Sequence, residues 1–110
     1  MKKIVYNKLI RDKIPQIIEK NNDLSKIRKL NRTEFKKELA QKILEEGKEL
    51  CKAKTKIDVL DELSDLLELV YAIAEENKIS PEKLQKNRVE KNLKRGGFEK
   101  KLFLEYVEEE

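Results

Sequence analysis

The chain has 110 residues, of which 44% are charged, with a net charge of +4, no histidine and one cysteine. This length predicts a single domain over residues 1–110, and the lack of histidine excludes the usual general base and the commonest zinc ligand. Cys51 has no partner for an internal disulfide, and no segment is apolar enough for a signal peptide or a membrane span, which favours a cytoplasmic protein.

The first part of the chain predicts a short strand and a short helix. Residues 3–6, KIVY, are rich in residues that favour β-structure. Pro15 suits the first turn of a helix, and the asparagine pair at 21–22 suits its end. We therefore expect a short helix between these two signals.

Two long helices are predicted next. A capping box at Asn31 precedes a helix over residues 33–54, and Thr55 caps a second helix over residues 58–77. The connection between them is too short to return the chain for a parallel arrangement. The two helices are therefore expected to be antiparallel neighbours.

The last part predicts a third helix and a second strand. Ser80 followed by Pro81 begins the helix, and Gly96–Gly97 ends it. The tail KKLFLEYV, residues 100–107, alternates as a strand does and is expected to pair with residues 3–6. The predicted fold is mainly α: a small helical bundle with two long antiparallel helices, a third helix and short terminal strands.

Carboxylates occur on the apolar faces of both long helices. Glu46 shares the helical spacing of Leu39, Ile43 and Leu50, and Glu62 shares that of Leu66, Leu69 and Ile73. Glu49 and Asp65 lie at the edges of these two faces. We therefore expect four acids to face one another across the helix pair, with Glu46 and Glu62 partly buried.

Acids placed in this way need positive charge, because an unpartnered carboxylate removed from water costs several kcal/mol. Lysines could provide the charge through ion pairs. A metal ion is the alternative, and carboxylates without histidine or thiolate select Mg²⁺ or Mn²⁺. Mg²⁺ bound in this way commonly contacts phosphates, so the metal alternative implies a phosphorylated substrate.

Four sequence segments resemble known groups of enzymes. EEGKE, from Glu45, and ELSD, from Glu62, resemble the EExxE and ExxD motifs of the all-α NTP pyrophosphatase superfamily, which includes MazG, dimeric dUTPases and phosphoribosyl-ATP pyrophosphohydrolase. YNKLIRDKIP and KRGGFEKKLFLE, at the two ends, are similar to the ends of predicted house-cleaning pyrophosphatases for noncanonical nucleotides. Together the similar segments cover nearly the whole chain.

The resemblance implies a function and a set of site residues. Its members cleave a nucleoside triphosphate between the α and β phosphates, releasing a monophosphate and pyrophosphate. By matching position, the Mg²⁺ ligands are Glu46, Glu49, Glu62 and Asp65. Glu45 is the candidate catalytic residue, which either orients the attacking water or forms a structural ion pair.

Phosphates also need hydrogen-bond donors. Lys8, Arg11 and Lys13 cluster before the first helix, and Arg95 precedes the Gly-Gly turn, where backbone N–H groups can approach an anion. We predict that these four residues bind the substrate phosphates. A solvated surface for the lysines and a plain helix end at Gly96 are the alternatives.

Members of this superfamily act on different substrates, and the sequence departs at one position from those that act on phosphoribosyl-ATP. Phosphoribosyl-ATP pyrophosphohydrolases usually carry a histidine soon after the second motif, and DLLELVYA has none. This favours nucleotide sanitation over histidine biosynthesis. We expect a homodimer or higher homo-oligomer that binds a nucleotide and no membrane. A noncatalytic lysine-rich module that binds nucleic acid is the less favoured alternative, because the lysines are dispersed among 22 acids.

Overall fold

The computed structural model describes residues 2–110, which contain four helices. These helices are α1 (Ile14–Lys20), α2 (Arg32–Lys52), α3 (Lys56–Glu76) and α4 (Pro81–Arg95). Across residues 2–110, no helix combines the length and the apolar composition needed to cross a membrane. The mainly helical prediction is confirmed.

Local capping signals place the helix ends. The Asn31 side chain accepts a hydrogen bond from the backbone N–H of Glu34, whose carboxylate accepts one from the Asn31 N–H. Thr55 and Ser80 cap α3 and α4 through their side-chain oxygens. Gly96 follows α4 with a φ of 81°, in the left-handed region that favours glycine. The predicted caps of the three longer helices are thus confirmed.

Helices α2 and α3 form an antiparallel hairpin, as predicted. Arg32, at the start of α2, donates a hydrogen bond of 3.1 Å from Nε to Oε1 of Glu76, at the end of α3. Residues 53–55 connect the two helices at the other end. Leu39 on α2 and Ala74 on α3 are the buried apolar side chains of residues 2–110. The hairpin is therefore the centre of the fold and positions the acids of both helices.

The prediction of short terminal strands is wrong. Residues 2–10 and 101–110 have no regular secondary structure. Lys101, inside the predicted second strand, has a φ of 57°, a left-handed conformation that interrupts an extended strand, and Asn7, directly after residues 3–6, has a φ of 47°. A strand also needs a neighbour for its backbone hydrogen bonds, and neither terminal segment has one within the described chain. The alternating pattern of the tail therefore does not produce a sheet.

The chain has much more surface than a compact protein of its size. Its radius of gyration is 18.8 Å, against about 13 Å for a compact chain of this length. Its accessible surface is 11233 Å², against roughly 6,300 Å² for a compact monomer of 13.0 kDa. Many large apolar side chains are exposed, and they include one side of α3. We call this side the outer stripe, and it consists of Leu60, Leu63, Leu67 and Tyr71.

Candidate metal centre

Three carboxylates meet between α2 and α3. Glu46 of α2 and Glu62 and Asp65 of α3 each place one oxygen within 4.8 Å of the oxygens of the other two. All three residues are half-buried. We call these three residues the acidic cluster. The helical period places them on facing sides of the hairpin. Glu46 and Glu62 share the spacing of the apolar residues on their own helices, and Asp65 lies at the edge of the apolar face of α3.

Glu62 is the least satisfied member of the acidic cluster. Its Oε2 is buried and has no hydrogen-bond partner within residues 2–110. When it is protonated, Glu62 can donate a hydrogen bond to the Glu46 carboxylate. This bond, burial, and the negative charges of Glu46, Asp65 and Glu49 raise the pKa of Glu62 to about 7. Ionised Glu62 is therefore unfavourable unless a positive charge enters the cluster.

The acidic cluster suits a hard divalent cation. Its donors are carboxylate oxygens, the chain contains no histidine, and Cys51 is exposed and outside the cluster. Mg²⁺ and Mn²⁺ prefer such oxygen ligands, whereas zinc and copper prefer nitrogen or sulfur. The unpartnered Glu62 Oε2 is the kind of oxygen that a cation would bind.

Ion pairs compensate some of the predicted metal ligands and leave others without a partner. Arg11 Nη2 lies 2.7 Å from Asp65 Oδ1, and Lys52 Nζ lies 4.0 Å from Glu49 Oε1. In the described part of the chain, neither Glu46 nor Glu62 has an ion-pair partner. Ion pairs with lysine thus do not account for the two acids on the apolar faces.

A cleft of about 250 Å³ adjoins the acidic cluster. Its lining consists of Lys8, Lys42, Glu45, Glu46, Lys48, Glu49 and Lys52. Three of these lysines were not among the predicted phosphate-binding residues. Spacing could have identified two of them, since Lys42 lies one turn before Glu46 and Lys52 lies one turn after Glu49. The cleft therefore combines carboxylates that suit a cation with ammonium groups that suit phosphate.

The structure brings together some predicted site residues and not others. Glu45 and Lys8 line the cleft, and Arg11 contacts the acidic cluster. Glu49 lines the cleft but lies outside the group of three close oxygens. Lys13 precedes α1 and Arg95 is the last residue of α4. Among residues 2–110, neither of these two forms a hydrogen bond or ion pair with the acidic cluster.

The raised pKa of Glu62 predicts how the stability of the metal-free protein depends on pH. The folded chain holds a proton on Glu62 up to about pH 7, whereas the unfolded chain releases it near 4.5. The stabilisation by this proton is complete below the pKa of Glu62 in the unfolded chain and is lost as the pH rises through its pKa in the folded chain. In EDTA, we expect Tm to fall between about pH 5 and pH 8.

Thermal melts of matched variants measure this effect. Glu62→Gln should flatten the fall in Tm, because glutamine does not titrate. Glu68→Gln, which changes an exposed acid on the same helix, should retain the wild-type slope. Equal slopes in wild type and Glu62→Gln would contradict the assignment of the raised pKa to Glu62.

Comparison with known proteins identifies the family. The sequence model of phosphoribosyl-ATP pyrophosphohydrolase matches residues 11–95, and no curated protein or solved structure gives a significant match. The matched segment includes the whole acidic cluster and the helices that carry it. The chain therefore belongs to the phosphoribosyl-ATP pyrophosphohydrolase family, within the all-α NTP pyrophosphatase superfamily that its acidic motifs resemble.

Proposed function

We propose that this protein is a Mg²⁺-dependent pyrophosphohydrolase that cleaves a noncanonical nucleoside triphosphate to a monophosphate and pyrophosphate. We expect that Mn²⁺ can also support the reaction in place of Mg²⁺. Residues 1–110 are proposed to form one domain that acts in the cytoplasm, where the single free Cys51 is compatible with reducing conditions. Membership of a pyrophosphohydrolase family supports the reaction class.

One observation carries the proposal of a metal site. Three carboxylate oxygens lie within 4.8 Å of one another, and the buried Glu62 Oε2 beside them has no hydrogen-bond partner in residues 2–110. Three close carboxylates repel one another unless a cation or protons compensate them. We propose Glu46, Glu62 and Asp65 as direct ligands and Glu49 as a fourth ligand after a side-chain rearrangement.

Each part of the cleft has a proposed role in the reaction. When bound, Mg²⁺ would neutralise phosphate charge and increase the acidity of a water molecule. Glu45 is proposed to orient that water and accept its proton, because it lines the cleft next to the acidic cluster. Lys8 and Lys42 are proposed to hold the phosphates of the substrate and stabilise the leaving pyrophosphate. Arg95 is also proposed to bind phosphate. It does not line the cleft, so either a movement of α4 or the Arg95 of a second subunit would have to bring it there.

A second copy of the chain is the proposed partner. The outer stripe is apolar and exposed, while the opposite face of α3 packs on α2. A helix that is apolar on both sides is normally buried on both sides. The surface in excess of a compact monomer is larger than the roughly 800 Å² that each subunit buries in a standard interface. We therefore propose a homodimer in which the outer stripes of two chains pack together.

Phosphoribosyl-ATP is the second candidate substrate, because the matched family carries that name. A noncanonical nucleotide remains the preferred substrate, since the chain contains no histidine after its second acidic motif. Both substrates carry a triphosphate and would use the same metal ligands. The two candidate substrates therefore differ in the base and sugar that the protein would have to recognise, and they undergo the same reaction at phosphorus.

Pyrophosphate release across a panel of compounds tests the function. The panel contains the normal, deaminated and oxidised triphosphates, dUTP and phosphoribosyl-ATP. We expect release from a deaminated or oxidised nucleotide, complete loss of release in EDTA and recovery with excess Mg²⁺. Release from phosphoribosyl-ATP alone would favour the second candidate. No release from any compound, together with binding to nucleic acid that weakens steeply with salt, would favour the noncatalytic alternative.

A further inference from the structure

Arg11 connects the N-terminal segment to the acidic cluster. Its Nη2 donates a hydrogen bond of 2.7 Å to Asp65 Oδ1, between residues 54 positions apart in the chain. Within residues 2–110, no other side-chain hydrogen bond or ion pair joins the first 20 residues to α2 or α3. The position of Arg11 next to Asp65 is therefore a tertiary contact and does not follow from local sequence.

The acidic cluster has too little positive charge. Among residues 2–110, Arg11 is the cation that forms an ion pair with the cluster, and this contact reaches only Asp65. Glu46 and Glu62 have no ion pair in the described chain, and Glu62 Oε2 has no hydrogen-bond partner there. One guanidinium charge thus faces three carboxylates. A divalent cation would supply twice that charge at the centre of the cluster.

The Arg11–Asp65 pair is suited to exchange. The Arg11 side chain is 59% exposed and that of Asp65 is 43% exposed. They share one hydrogen bond and not the two parallel bonds of the strongest arginine–carboxylate pairs. Exposed pairs of this kind contribute little to stability, and water can replace either partner. A cation at Asp65 would repel the guanidinium, so the two compete for one carboxylate.

We propose that Arg11 is an exchangeable counter-ion that occupies Asp65 in the metal-free protein and moves to a substrate phosphate when a divalent cation binds. This inference rests on the metal dependence proposed above. The released guanidinium can donate two parallel hydrogen bonds to a phosphate. Binding of metal and binding of nucleotide therefore favour each other, because metal binding frees the group that the nucleotide needs.

Mn²⁺ binding in the absence of nucleotide tests the competition directly, with free Mn²⁺ measured by electron paramagnetic resonance. Arg11→Ala should bind Mn²⁺ about twofold to fivefold more tightly than wild type, the range expected for loss of one exposed ion pair. Arg11→Gln should behave similarly. Lys8→Ala is the matched control, because it removes a positive charge from the same segment but from a residue without an ion pair to Asp65. Its affinity for Mn²⁺ should change less.

Binding of a triphosphate analogue with a methylene bridge between the α and β phosphorus atoms tests the second half of the proposal. In wild type, Mn²⁺ and the analogue should each increase the affinity for the other. This mutual increase should be smaller in Arg11→Ala and intermediate in Arg11→Lys, which keeps the charge but not the two-pronged donor.

Several outcomes would overturn the proposal. Weaker Mn²⁺ binding by Arg11→Ala would mean that Arg11 orients Asp65 for the metal. An equal increase in Mn²⁺ affinity in Arg11→Ala and Lys8→Ala would mean that the effect comes from net charge and not from the contact with Asp65. Unchanged Mn²⁺ affinity in Arg11→Ala, or unchanged coupling to the analogue, would reject the exchange while leaving the proposed enzyme intact. Failure of wild type to bind Mn²⁺ would reject both proposals.

Discussion

Glu62→Gln should lower the rate of pyrophosphate release by more than about a hundredfold, because even residues that only support metal ligands cost 10-fold to 100-fold when changed. The metal-free variant should nevertheless be as stable as wild type at neutral pH or more stable. Glutamine keeps the size of the side chain and removes a negative charge that lies beside Glu46 and Asp65. Added Mg²⁺ should raise the Tm of wild type and have little effect on that of the variant.

Thermal melts in EDTA and in Mg²⁺, together with the activity assay, measure this prediction. Glu68→Gln is the control, since Glu68 is exposed on the same helix and lies outside the acidic cluster. It should retain activity and the stabilisation by Mg²⁺. Strong destabilisation of Glu62→Gln in EDTA would contradict the assignment, because it would indicate that the Glu62 charge stabilises the metal-free fold.

Leu67→Lys should convert the proposed homodimer to monomers and broaden or abolish the cooperative thermal transition. Leu67 lies in the outer stripe, and a lysine there would place an unpaired charge in an apolar interface at a cost of several kcal/mol. A two-fold symmetric dimer contains the change twice. Each increment of about 1.4 kcal/mol weakens association tenfold, so dissociation should be complete at micromolar concentrations.

Size-exclusion chromatography with light scattering determines the oligomeric state of each protein. Leu24→Lys is the matched control, because Leu24 is also exposed but lies in the link between α1 and α2. This variant should remain dimeric. A wild-type protein that is monomeric and melts cooperatively would contradict the proposed dimer. Dimeric Leu67→Lys would place the interface elsewhere on the chain.

Local features of the sequence determined the helices. Asn31, Thr55 and Ser80 cap helices because their side-chain oxygens accept hydrogen bonds from backbone groups within the next few residues. The facing positions of Glu46 and Glu62 follow from the helical period and from the short link that makes α2 and α3 antiparallel. These features involve neighbouring residues or a single connection, so they can be predicted without knowing the rest of the fold. The resemblance of the two acidic motifs to the all-α NTP pyrophosphatases is also confirmed, because each motif is a short local pattern that the sequence shows directly.

Contacts between distant segments were decided only by the tertiary structure. A terminal strand requires a partner strand, and neither terminal segment has one within residues 2–110. The ion pair of Arg11 with Asp65 joins segments 54 residues apart, and no local pattern distinguishes Asp65 from the other acids as its partner. The exposure of the outer stripe likewise depends on how few segments pack against the hairpin. The sequence determined which residues are helical and that Glu46 and Glu62 face each other. The three-dimensional arrangement determined that Asp65 and not Glu49 joins them, which cation contacts this cluster and which apolar surface stays exposed.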